Sequence, residues 1–344
     1  MNGLLRQVTH PLSLLAQHSM NARQRPRSRS EWETRFNHWR RPESETGEAK
    51  IEAARRRVQK ALARSHFLHG HQWEIIDQGS YNNNTNVRAD SDVDLCVCLK
   101  NVFVCDGPWN DPPTREELGN VGIEFTYEYF RSEITSCLRS EYGWASVDEG
   151  KKAIHLHKNE SERVSVDVVP AYTYRIYSPR LTPLGGRNIE HSGVVLWSSQ
   201  GIQITNFPVQ HEANGTAKNR RTGYRYKHVV RILKWMRNHM AENDTLSETI
   251  RTSAKQTPSF LIECLVYNCP DDAFRGSGVY DDVASVLRYL RAVFAEQSRS
   301  LLGVKTRDYW NEVNGIKPLF HSDQVWTPET ASAFVAAAIG YMEQ

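Results

Sequence analysis

The chain has 344 residues, 39% of them hydrophobic and 24% charged, with a net charge of +3. That length can bury two sizeable cores, while the small charge excess offers no large basic footprint for duplex nucleic acid. No apolar run approaches the roughly eighteen residues of a membrane span, and residues 1–17 lack the continuous apolar core of a signal peptide. Six cysteines without CxxC or Cys/His spacing argue against a disulfide framework or a zinc finger, so a cytoplasmic protein is expected.

Residues 1–44, with Arg23, Arg25, Arg27 and Arg29 among polar residues, read as a flexible basic lead. A helix is expected over 48–68, where Ile51, Ala54, Val58 and Leu62 share one face and would brace a catalytic lobe. A short strand at 73–77 runs into Gly79-Ser80, a turn where backbone amides and a hydroxyl can approach a triphosphate. After it, Asp92 and Asp94 alternate with Val93, Leu95, Val97 and Leu99, so that one strand face carries two carboxylates and the other enters a core. Such a pair can hold a divalent cation.

Thr114-Arg115-Glu116-Glu117 has the form of a capping box, and Ile123, Tyr127, Phe130, Ile134 and Leu138 continue a helical stripe that stops at Gly143. The run 153–157 and the turn-like Asn159-Glu160-Ser161 then predict a hairpin whose second strand, 163–170, places Asp167 beside the Asp92 strand. A third carboxylate there would complete a reaction centre, because in-line phosphoryl transfer uses two metal ions about 3.5–4 Å apart. His155 and His157 could place two imidazoles on one strand face but, with no third ligand nearby, read as surface histidines.

Residues 177–208, rich in Gly, Pro and Ser, read as loops and short strands around a cleft. From 222 to 243 a helix is expected, with Tyr226, Val229, Val230, Leu233, Met236 and Met240 buried. Lys227, Arg231, Lys234 and Asn238 form a second stripe on it, placed to face a polyanion. Thr257-Pro258 starts a further helix and leaves Ser259 in its first turn, where free amides and the positive dipole end favour a phosphate. Helices near 281–298 and 328–342 complete a helical lobe.

Taken together, Gly79-Ser80, Asp92-Val-Asp94 and a later strand Asp, Asp167, resemble the polymerase-β-type nucleotidyltransferase superfamily. The wording Gly-Ser-Tyr-Asn-Asn-Asn-Thr-Asn-Val-Arg is similar to the bacterial cGAS/DncV-like nucleotidyltransferases of CBASS anti-phage defence, over about residues 45 to 342. The resemblance implies an α+β fold: a polymerase-β-like palm with a mixed sheet at 45–205, and a helical, oligoadenylate-synthase-like lobe at 206–344. It implies catalytic, metal-binding Asp92, Asp94 and Asp167, with two Mg²⁺ ions that Mn²⁺ can replace. Gly79, Ser80, Lys234 and Ser259 would bind donor phosphates, with Lys227 as the alternative lysine, and Phe260 would either stack on the donor base or pack in the core.

By the same resemblance, ATP or other nucleoside triphosphates are the substrates. A cyclic di- or trinucleotide is the product, and a separate effector is its target. A monomer is expected, with no membrane association and no nucleic-acid activation. An RNA-tailing or linear oligonucleotide-synthesising enzyme, an antibiotic nucleotidyltransferase and an inactive nucleotide-binding module are the alternatives.

Overall fold

The computed structural model describes residues 26–42, 47–87, 92–107, 124–158, 164–181, 187–295 and 305–344. The helices among them are α1 (Arg29–Trp39), α2 (Gly47–Leu62), α3 (His66–His69), α4 (Gly79–Asn82), α5 (Tyr127–Tyr142), α6 (Pro208–Arg221), α7 (Arg225–Glu242), α8 (Glu248–Gln256), α9 (Ser259–Tyr267), α10 (Val279–Ala295) and α11 (Pro328–Met342). The strands are β1 (Trp73–Gln78), β2 (Val93–Asp106), β3 (Val147–Glu149), β4 (Ile154–Leu156), β5 (Val166–Leu181), β6 (Arg187–Trp197) and β7 (Gln203–Asn206).

One mixed sheet organises the first lobe. Its order is β1-β2-β5-β4-β3, with β6 pairing the far half of β5 and β7 pairing β6. Among the described residues only β2 and β5 run parallel; the other pairings are antiparallel. Buried on both faces, β2 reads as a continuous apolar run from Leu95 to Leu99, as a central strand must. Helices α2 and α5 cover the sheet with Ala54, Val58 and Leu62, and with Phe130, Ile134 and Leu138. The buried Arg57 donates to the carbonyls of Val164 and His157, which pins the entry to β5.

A second core gathers around α7, whose Tyr226, Val229, Val230, Leu233, Met236 and Met240 are all fully buried. The fold is thus α+β, a mixed sheet with its helices beside a helical lobe.

Three expectations change. Residues 29–39, expected in a flexible lead, form α1 behind a Ser28 capping box and bury Trp32, Phe36 and Trp39 in the helical core. Arg23 and Arg25 lie outside the described residues. The helix expected over 48–68 breaks, because Ser65 caps a separate turn, α3. The loops expected at 177–208 are largely strand, since β5 continues to Leu181 and β6 and β7 follow; pairing with a long neighbour overrides the local Gly and Ser content. Thr114, Glu117, Ile123, Asn159-Glu160-Ser161 and Ser298 also lie outside the described residues. The helix after them is capped by Thr126 and stops at Gly143, at φ 83°.

Among the described residues, no helix is long and apolar enough to cross a membrane. All six cysteines are free thiols, four of them buried.

Candidate active site

Strand register assembles the acidic centre. In the parallel pair β2/β5, Asp94 stands opposite Asp167, and in the antiparallel pair β4/β5, His155 stands opposite Asp167. Side chains facing one another on neighbouring strands share a face, so these three form a row across the sheet. Asp92, exposed just before β2, completes the group: single ligand atoms of Asp92, His155 and Asp167 lie within 4.8 Å of one another. Asp94 is outside that tightest trio, yet Asp92 and Asp167 both act on its charge.

Packing like charges together without a cation is unfavourable. Burial first, then Asp167 and Asp92, push the Asp94 carboxyl up to about 7. Burial also raises Asp167, against which a hydrogen bond from His155 Nδ1 to Oδ1 works. Converging oxygen donors that resist ionising on their own fit a hard divalent cation. The carboxylates of Asp92, Asp94 and Asp167 would hold it, and an ion arriving below pH 7 has to displace the proton on Asp94.

The turn at Gly79 is built against this group. Gly79 begins α4 at φ 76°, and a Cβ there would fall inside the Asp94 carboxylate, so only glycine lets the backbone pass so close. Ser80 follows in α4, and its carbonyl accepts from the Thr85 amide at 2.8 Å.

On α7 the cationic stripe is buried rather than facing solvent. Arg231 donates to the carbonyls of Arg40 and Asn84, at 2.6 and 2.5 Å. Lys234, 3% exposed, donates to Thr85 Oγ1 at 3.0 Å and Glu263 Oε2 at 2.9 Å. Glu263 in turn accepts from Thr85 Oγ1 at 2.8 Å and His211 Nε2 at 3.0 Å. Burial alone would raise the Glu263 carboxyl, but Lys234 and His211 outweigh it and hold it well below the usual carboxylate range. Lys227 lies at the edge of the same network, its ammonium destabilised by burial and drawn electrostatically to Glu263 and Glu212. Ser259 opens α9 as expected, and its Oγ accepts from Arg237 at 2.9 Å. The Phe260 ring packs 5.5 Å from His211 and 5.9 Å from Trp326, partly buried against the helical core.

Sequence reading missed Glu263, His211, Thr85 and the role of His155. Glu263 carries a usable signal, being a carboxylate inside the apolar run Leu261 to Val266, where a charge needs a partner. His155 carries none without the strand register.

A mixed sheet presenting three carboxylates in one patch, beside a glycine turn and opposite a helical lobe, defines a metal-dependent nucleotidyltransferase. Residues 213–343 match the cGAS/DncV-like nucleotidyltransferase C-terminal helical domain. The chain is 36% identical over 315 residues to a cyclic dipyrimidine nucleotide synthase CdnE of Legionella pneumophila, spanning 91% of this chain and 99% of that one. It is 31% identical over 312 residues to a cyclic dipyrimidine nucleotide synthase CdnE of Cecembia lonarensis, spanning 90% and 98%. Its fold matches the structure of the Rhodothermus marinus CdnE c-UMP-AMP synthase with Apcpp and Upnpp, with a TM-score of 0.72, 27% identity and coverage of 90% and 95%. The chain belongs to the cGAS/DncV-like nucleotidyltransferase family.

Proposed function

We propose that this enzyme joins two pyrimidine nucleoside triphosphates into a cyclic dinucleotide. The carrying observation is the cross-strand register that sets Asp94 beside Asp167 with Gly79 against them. The choice of pyrimidines is supported by the two cyclic dipyrimidine synthases related over nine tenths of the chain. In each transfer an acceptor hydroxyl oxygen bonds to the donor α-phosphorus, the bond to the β-phosphate bridge breaks, and pyrophosphate leaves. Two Mg²⁺ ions, when bound, neutralise charge on the attacking and leaving oxygens. Asp92 and Asp94 would hold the ions to which the donor phosphates bind, Asp167 takes the acceptor's proton, and the Gly79-Ser80 turn cradles the triphosphate. A modest net charge of +3 accords with a synthase that needs no nucleic-acid activator. Its product acts on a separate effector in anti-phage defence.

The test is mass spectrometry of products from the four nucleoside triphosphates, singly and in pairs, with Mg²⁺ or Mn²⁺. A phosphatase-resistant, phosphodiesterase-sensitive cyclic dinucleotide from UTP or CTP is expected. Purine-only products would overturn the pyrimidine assignment; a ladder of phosphatase-sensitive oligomers, or dependence on added RNA, would overturn cyclisation.

The two lysines of α7 take different parts in this scheme. Lys234 matches the family's triphosphate lysine, but its ammonium is already held by Glu263 and Thr85. Lys227, whose amide donates to Asn219 Oδ1 but whose ammonium has no hydrogen-bond partner among the described residues, is the better placed to meet a donor phosphate. Lys227→Ala should raise the donor KM by roughly 10–150-fold, the loss of a charged hydrogen bond of about 1.5–3 kcal/mol, with the melting temperature unchanged. Steady-state kinetics on both alanine variants decides it. A silent Lys227→Ala beside a stable, high-KM Lys234→Ala would return the role to Lys234.

A further inference from the structure

Nothing in the proposed chemistry requires His155, yet its surroundings are more constrained than those of a surface histidine. The imidazole stands opposite Asp167 in the β4/β5 register and bonds its Oδ1 through Nδ1. On its other side it lies against Gly150, where a Cβ would collide with Nε2, so the β3–β4 turn is shaped around the ring. That turn is itself fixed. Arg131 donates to the carbonyls of Gly150, Lys152 and Ala153, at 2.7, 3.0 and 3.2 Å, and Gly150 N donates to Ala153 O at 2.9 Å. His157, two residues on, hydrogen-bonds Asp148 instead and acts on Asp167 only through its charge.

We propose that His155 is the positioning residue of the third carboxylate: its Nδ1–H holds Oδ1 of Asp167, so that Oδ2 is presented to the divalent ion. With a carboxylate accepting, the donor must be Nδ1, and the ring is one step removed from the metal rather than a ligand. Carboxylates that bind metals are commonly oriented by such a partner, and losing it weakens metal binding or activity roughly 10–100-fold. The inference rests on Asp92, Asp94 and Asp167 being the metal site.

Mn²⁺ titrated into the purified full chain, followed by the electron paramagnetic resonance signal of free Mn²⁺, reads the effect without requiring turnover. His155→Ala should weaken Mn²⁺ binding roughly 10–100-fold, while His155→Asn, whose amide can donate from the Nδ1 position, should stay within about threefold of the unsubstituted chain. His155→Gln places its amide near the Nε2 position and should behave like the alanine variant; His157→Ala should bind Mn²⁺ normally. Equal affinity of His155→Ala and the unsubstituted chain would overturn the proposal, as would a His155→Asn no better than His155→Ala. Strong ¹⁴N coupling from a directly bound imidazole in the Mn²⁺ complex would make His155 a ligand instead. If His155→Ala fails to fold, the asparagine and glutamine variants carry the comparison. Failure of the unsubstituted chain to bind Mn²⁺ would instead indict the carboxylate site itself.

Discussion

Asp92→Asn together with Asp94→Asn should abolish nucleotide transfer without weakening the fold. The carboxylates supply the charge that holds the ions, and metal stabilisation of the transferring phosphate is worth several kcal/mol, hence roughly three or more decades in rate. Stability should move the other way. Asp94 is pushed up to about 7 by burial, Asp167 and Asp92, so the folded, metal-free chain holds a proton that the unfolded chain releases near pH 4. Between those values the folded state binds more protons than the unfolded one, and stability declines as pH rises. The double variant removes that penalty, so its melting temperature at pH 7.5 should equal or exceed the starting value, and its pH slope between 4 and 7 should flatten. Measured together, turnover and thermal melting separate the roles. A folded double variant with near-normal turnover would remove these residues from the metal site; an unfolded one would show that they support the sheet.

Glu263→Gln should have the largest effect on stability. Its carboxylate is buried and accepts from Lys234, Thr85 and His211 across three elements and the segment that follows the glycine turn. Glutamine keeps the volume but leaves the Lys234 ammonium buried without a counter-charge, and breaking such a pair costs about 3–5 kcal/mol. Urea denaturation measures this directly. The double variant Glu263→Gln with Lys234→Met should recover much of the loss, because removing both charges of a buried pair is often nearly neutral. A single variant within about 1 kcal/mol of the starting chain would mean that solvent screens the network. Since Thr85 lies on the chain segment leading from Ser80, the same variant should loosen the phosphate turn.

Local alternation and turn chemistry determined the chemical core of this protein. The Asp92-Val-Asp94 spacing put two carboxylates near one another, with Asp94 on β2 and Asp92 just before it, Gly79 marked a close backbone approach, and the stripe of α7 marked its buried side. Such signals lie within a few residues of one another, so they survive without tertiary knowledge. What the fold alone decided depends on partners far apart in sequence. The pairing of Asp94 with Asp167 and of Asp167 with His155 is a matter of strand register, and a slip of one residue would have turned each side chain to the other face. The capture of Lys234 by Glu263 and Thr85 joins residues 29 and 149 positions apart and turns a cationic stripe into an interior network. Likewise α1 has an apolar face too small to hold it alone, and becomes ordered structure only because the helical lobe offers a place for Trp32, Phe36 and Trp39 to leave water.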